Sequence, residues 1–122
     1  SSTFLEEYSG MELSRPCVDP PEPLYLLTSL HALGMIGSEQ KHCLGAKSFY
    51  RKGVTGRSYF IHLSSSEDGG ATAEVSAEGR ILQVHGPCNA HNASCDKLRK
   101  LAEPWLEELK RVYSYYTEKV QF

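Results

Sequence analysis

The densest group of potentially reactive side chains lies between residues 85 and 95, which hold two of the five histidines and two of the four cysteines. Imidazole and thiolate groups are the ligands that zinc prefers. Structural zinc sites usually join two ligand pairs that are far apart in the chain, whereas these residues share one short connection. We therefore expect no cofactor and keep a metal site only as a weak alternative, with the ligands His85, Cys88, His91 and Cys95.

The same run allows a second chemistry, the oxidation of its two cysteines. A disulfide between Cys88 and Cys95 would close a small loop. Cys17 and Cys43 would then form a second bridge, although four cysteines permit three pairings. Asn92 begins an N-glycosylation acceptor sequence, Asn-Ala-Ser. Together these features describe an alternative function, a secreted or cell-surface ligand or receptor module, while free thiols in an intracellular compartment remain the main expectation.

A basic cluster around a glycine turn offers a third possibility. Arg51, Lys52 and Arg57 flank two glycines at the tip of an expected hairpin. Cations and exposed backbone amides at such a tip can hold a phosphate, so anion or phospholipid-headgroup binding is a second alternative function. The glycine and lysine spacing of a P-loop is absent. A formal net charge of −2 argues against a surface built for nucleic acid, and we expect no such partner.

Other catalytic signatures are missing from the sequence. The chain has no Gly-x-Ser-x-Gly motif, no paired-histidine zincin motif and no dinucleotide-binding glycine motif. We therefore expect that the protein is not an enzyme. Its 122 residues suit one globular domain, with 40% hydrophobic and 23% charged residues. No apolar run reaches about 18 residues, so we expect no membrane span.

The N-terminal part predicts an extended segment followed by a helix. Residues 1–23 are rich in proline towards their end and form the expected extended segment, which leaves 24–122 as a single domain. From Leu24 onwards leucines recur every three or four residues, which predicts an N-terminal helix that ends near Gly34 or Gly37.

The middle of the chain alternates apolar and polar residues between glycine-rich turns. This pattern predicts an antiparallel sheet of four short strands in meander order, over 49–51, 57–63, 71–76 and 80–85. After Cys95 the period returns to that of a helix, with an apolar stripe that consists of Leu98, Leu101, Trp105, Leu109, Val112 and Tyr116.

Pro104 interrupts this long C-terminal helix. The acidic residues just after it and the basic residues further on favour a main helix that begins with Pro104 in its first turn. The complete expectation is an α+β domain, in which an N-terminal helix, a four-stranded antiparallel meander and a long C-terminal helix follow one another, with the helices on one face of the sheet.

Aromatic side chains near the C-terminus suggest the function. Tyr113, Tyr115 and Phe122 exceed what one buried stripe requires, and exposed tyrosines on a helix are favoured anchors for partner proteins. We therefore predict a non-catalytic protein–protein interaction domain, an adaptor or scaffold that belongs to a larger protein or complex. Its partner is another protein, homo-oligomers are possible, and the expected location is cytoplasmic or nuclear.

Overall fold

The computed structural model describes residues 12–29, Ala32 and 56–119. Four strands form one sheet, and a single long helix follows it. The strands are β1 (Tyr25–Leu26), β2 (Ser58–Leu63), β3 (Ala71–Ser76) and β4 (Ile81–His85), and after a short 3-10 turn (Pro87–Asn89) the helix α1 comprises Ala93–Lys119. No helix in this described part of the chain is long and apolar enough to cross a membrane.

The sheet is antiparallel throughout, and its strand order is β1-β2-β3-β4. The α+β class with a four-stranded antiparallel sheet and a long C-terminal helix is thereby confirmed. The register pairs of Leu26 with Ile61, Ile61 with Ala73 and Ala73 with Val84 place one residue of each strand on the same face. The first strand differs from the expected one, because Tyr25–Leu26 pairs with β2. The expected strand 49–51 lies outside the described residues.

The predicted N-terminal helix is wrong over residues 24–29. The chain turns where the Leu24 N–H donates to the Pro21 carbonyl (2.9 Å), and it then runs along the edge of β2. The Leu27 N–H donates to the Phe60 carbonyl (2.8 Å), so tertiary pairing satisfies the backbone and overrides the helical spacing of the leucines. The rest of the predicted helix lies outside the described residues except for Ala32, which is helical.

Helix α1 packs across one face of the sheet. Its buried residues recur every three or four positions, as an apolar stripe requires. They meet the inward residues of β2, β3 and β4, and the resulting core contains Ile61, Ala73, Val75, Val84, Cys95, Leu98, Ala102, Trp105 and Leu109.

Pro104 does not divide the helix, contrary to the expectation that the main helix begins there. Helix α1 is continuous over 27 residues with Pro104 inside it. A proline removes the hydrogen bond to the carbonyl four residues earlier, here that of Lys100. Pro104 and Lys100 are both exposed, so water can bind the freed carbonyl, and burial of the opposite face holds the helix together.

The first turn of α1 is fixed by the β2–β3 loop. The Asn92 side-chain oxygen accepts the Cys95 N–H (3.0 Å) and therefore caps the helix. Asp68 accepts the Ser94 N–H (3.0 Å) and the Ser94 hydroxyl (2.7 Å). The hydrogen bond from the Ser94 side chain, followed by that from the Gly70 backbone, lowers the pKa of Asp68 below its usual value.

Candidate functional site

Helix α1 is longer than the sheet that it covers. Its 27 residues span about 40 Å, whereas a six-residue strand spans about 20 Å. Leu109 is the last buried residue of the helix, and no residue from Arg111 to Glu118 is buried. We call residues 111–119 the helical extension. It continues the helix past the last helical residue of the described core, Leu109.

Three tyrosines dominate the helical extension. Tyr113, Tyr115 and Tyr116 are 45%, 54% and 57% exposed, and the rings of Tyr115 and Tyr116 meet edge to face at 5.5 Å. The prediction that Tyr116 faces inward is wrong. Tyr116 does continue the stripe of Leu109, seven residues earlier, but the sheet ends before it. The third predicted contact residue, Phe122, lies outside the described residues.

A groove lies beside the helical extension where the N-terminal segment passes it. Its volume is about 260 Å³, and it combines apolar surface, phenol rings, a thiol and one cation. We call it the Cys17 groove. It is lined by Cys17, Arg111, Val112, Tyr115 and Tyr116.

The charge of this groove comes from Arg111. Its Nε donates to Glu108 Oε2 (3.0 Å), and its Nη2 donates to Glu108 Oε1. The hydrogen bond between the two side chains is the main cause that lowers the pKa of Glu108 and raises the pKa of Arg111. Both groups are therefore ionised at neutral pH. The Arg111 side chain is still 68% exposed, so it remains accessible to a second anion.

The possible metal ligands of residues 85–95 do not converge. His85 Nε2 lies 3.2 Å from Gln83 Oε1, and His91 Nε2 lies 3.1 Å from Asp96 Oδ1. Cys88 is exposed on the 3-10 turn, whereas Cys95 lies in the first turn of α1 and is buried in the core. Among residues 12–29, 32 and 56–119, no three His, Cys, Asp or Glu side chains are grouped as metal ligands would be.

The Cys88–Cys95 disulfide is also absent, since both residues carry free thiols and face different surroundings. Cys17 is an exposed free thiol, and its proposed partner Cys43 lies outside the described residues. Asn92, the possible glycosylation site, uses its amide nitrogen to donate to the Gly70 carbonyl (2.9 Å) and the Asp68 carbonyl (3.3 Å). A glycan on that nitrogen would remove one donor and break this arrangement.

Of the three residues of the predicted anion site, the structure describes only Arg57. Arg51 and Lys52 lie outside the described residues. Arg57 is exposed just before β2, and its carbonyl accepts the Ala77 N–H (3.2 Å).

Polar residues on the face of the sheet opposite α1 were missed by the sequence reasoning. Register pairs align Tyr25, His62, Thr72 and His85 across all four strands, and Glu74 pairs with Gln83 in the next row. We call these six residues the polar rows. Polar alternation in a strand usually marks a solvated face, so the sequence offers no sign that His62, Thr72 and Glu74 are buried.

Hydrogen bonds connect these polar rows. Glu74 is only 2% exposed, and it accepts the Ser58 hydroxyl (2.6 Å) and the Gln83 amide (3.0 Å). His62 Nδ1 lies 2.7 Å from Thr72 Oγ1. Buried polar groups require such hydrogen-bond partners, so these contacts explain how His62, Thr72 and Glu74 can be buried.

Comparison with known proteins gives one match. The family model described as "PcfJ-like protein" matches residues 23–99, which contain all four strands and the first turns of α1. No curated protein and no solved structure matches the chain.

Proposed function

The chain belongs to the PcfJ-like protein family, and we propose that it is a non-catalytic protein-binding domain of an adaptor or scaffold, which contacts its partner through the helical extension. The family match ends at residue 99, before the helical extension begins. The proposal therefore depends on the surface of this chain. A helix that continues past its own core with exposed tyrosines is the single observation that carries it.

Tyrosines suit this role for physical reasons. Each offers a large apolar ring and a hydroxyl group, and it loses little conformational entropy when a partner covers it. Tyr113 and Tyr116 are three residues apart and share one side of the helix, which is the i, i+3 spacing that helix-in-groove recognition uses, and the ring of Tyr115 contacts that of Tyr116. The partner that fits this surface is a protein with an apolar groove for the rings.

Free thiols support an intracellular location for this domain. Cys17, Cys88 and Cys95 are all unpaired in the structure, as expected in a reducing compartment. The competing secreted module would need at least one disulfide among its cysteines.

The proposed function is tested by replacing Tyr113 and Tyr115 together with alanine. Alanine is a better helix former than tyrosine, so the domain should stay folded. A partner captured by the wild-type domain should then bind the double variant at least about tenfold more weakly, because exposed tyrosines are frequent hot spots. The measurement is titration of the purified partner against each protein.

A matched control replaces Lys97 and Lys100 with alanine. Both residues are exposed on α1, near the opposite end of the helix. This control should bind the captured partner as the wild type does. A partner that binds the tyrosine variant and the wild type equally well would disprove the proposed surface.

A further inference from the structure

We propose that the Cys17 groove recognises an apolar side chain that lies next to a carboxylate in the partner's polypeptide. This inference rests on the proposed function and specifies the chemistry of the partner. Each part of it comes from one property of the groove, namely its volume, its lining and its charge.

The volume of the groove suits a side chain. Pockets for small molecules usually hold about 300–1,000 Å³. The Cys17 groove holds about 260 Å³, which is below that range. Interface hot spots, in contrast, are often single anchoring side chains in small pockets of the partner. The groove therefore fits one anchoring residue of a peptide segment better than it fits a cofactor or metabolite.

The lining selects an apolar anchor. Val112 and the rings of Tyr115 and Tyr116 provide the apolar part of the surface. Leucine or an aromatic residue would fill such a site and displace water from it.

The charge selects a carboxylate beside that anchor. Arg111 is the one charged residue among the described residues that line the groove. Glu108 occupies its Nε and one Nη2 donor, and the other guanidinium N–H groups can bind a second carboxylate. An arginine binds carboxylates through paired N–H donors, which gives orientation as well as affinity. The complementary ligand is acidic.

A second copy of the chain is a poorer occupant. Stable interfaces use about 20–30 residues on each side. The helical extension offers nine residues, 111–119, so two copies paired through it alone would fall short of that size. A short acidic segment of a different protein needs no such area, because it inserts one anchor and adds charge pairing.

The test is selection of a random dodecapeptide library displayed on phage against the wild-type domain. Enriched peptides should carry leucine or an aromatic residue beside aspartate or glutamate. A synthetic peptide of that kind should bind Arg111→Gln about tenfold more weakly than it binds the wild type. Lys110→Gln removes a neighbouring cation that does not line the groove, and its affinity should stay within about twofold of the wild type.

Two thiols of the protein report where the peptide binds. Saturating peptide should slow the alkylation of Cys17, which lines the groove, at least about fivefold, as expected when a bound ligand covers a reactive group. Cys88 is exposed on the turn before α1, and its rate should not change. Site-resolved mass spectrometry measures both rates in one sample.

Three outcomes would overturn the inference. Selection could enrich no peptide, enriched peptides could bind Arg111→Gln normally, or Cys17 could become protected without peptide as the domain self-associates at higher concentration. The proposed function is judged separately. If the tyrosine variant loses the natural partner while Arg111→Gln retains it, the inference fails and the proposed function stands; if the tyrosine variant also retains the partner, both fail.

Discussion

The indole N–H of Trp105 donates a 2.7 Å hydrogen bond to the backbone carbonyl of Val18, which precedes it by 87 residues. This contact fastens the N-terminal segment to the middle of α1. Leu13 is buried and Val18 packs against the core, so the segment is attached at more than one point. The same path brings Cys17 beside Arg111 and the tyrosines.

Replacement of Trp105 with phenylalanine should lower the free energy of unfolding by about 1–3 kcal/mol, because the Val18 carbonyl loses its donor and the site loses volume. Urea denaturation followed by circular dichroism measures the change, since Trp105 is the one tryptophan and the variant lacks its fluorescence. Tyr113→Phe alters an exposed ring and should stay within about 0.5 kcal/mol of the wild type. Equal stability of Trp105→Phe and wild type would contradict the role of this contact.

Asn92 combines a helix cap with two donors to the β2–β3 loop, and two variants separate these roles. Asn92→Ser keeps a side-chain oxygen that can cap Cys95, but it removes the amide donors to Asp68 and Gly70. Asn92→Ala removes both functions. The alanine variant should be less stable than the serine variant by about 1 kcal/mol, the usual value of an N-cap. Thermal unfolding of both variants beside the wild type measures this, and equal stabilities would show that the cap contributes nothing.

Asp68 should make the stability of the folded protein depend on pH in the acidic range. Its pKa in the folded protein lies below that of the unfolded chain, so its carboxylate stabilises the fold above the unfolded value of about 3.9. That contribution should disappear as the pH falls through the lower, folded value. Asp68→Asn should therefore be less stable than the wild type at neutral pH, and the difference should shrink in acid.

Denaturation curves at several pH values between neutrality and strong acid measure this difference. Glu67→Gln removes the same charge from the same exposed loop and should leave stability at neutral pH within about 0.5 kcal/mol. A gap between wild type and Asp68→Asn that stays constant across the pH range would refute the linkage.

Gly79 brings the β3–β4 turn against α1. It has a φ of +89°, and a Cβ atom there would lie 2.6 Å from the Leu106 carbonyl oxygen. Gly79→Ala should therefore cost more than about 1 kcal/mol, since both the conformation and the close approach exclude a side chain. Glu78→Ala changes the exposed neighbour in the same turn and should have little effect. Thermal melts of the two variants test this, and a melting temperature equal to wild type for Gly79→Ala would count against the close contact.

The cysteines should differ sharply in reactivity. Cys88 is exposed and should be alkylated rapidly in the native protein, whereas Cys95 is fully buried and should react only when the domain opens. Peptide mapping after timed alkylation measures the two rates, and urea should abolish the difference. Resistance of Cys88 to alkylation until a reductant is added would reveal a disulfide and support the secreted alternative.

Helix α1 and three of the strands could be predicted because each buries one face, and the spacing of apolar residues reveals that face. The conformation of residues 24–29 could not be predicted in this way, because the side chains of Leu24 and Leu27 can be buried equally well whether the segment is a helix or a strand beside β2. The prediction that the main helix begins at Pro104 failed for a similar reason. The burial of the opposite helix face outweighs the loss of one hydrogen bond to an exposed carbonyl.

The candidate site was only partly visible in the sequence. Tyr113 and Tyr115 are exposed, as their places beside the apolar stripe suggested. The exposure of Tyr116 depends on where the sheet ends, which local periodicity does not encode. The Cys17 groove depends on a contact between Cys17 and the helical extension, which are far apart in the chain, and no local spacing pattern predicts such a contact.

The polar rows restrict how the strands can be aligned. A slip of β3 by one residue would exchange its two faces and turn Glu74 towards Leu98 and Trp105. Its carboxylate would then lose Ser58 and Gln83 and would lie in an apolar core, at a cost of several kcal/mol. Small residues such as Ala71 and Ala73 pack with little shape specificity, so they do little to fix the register of β3 against β2 and β4. The buried Glu74 therefore penalises each slip of β3 that would exchange the two faces of the strand.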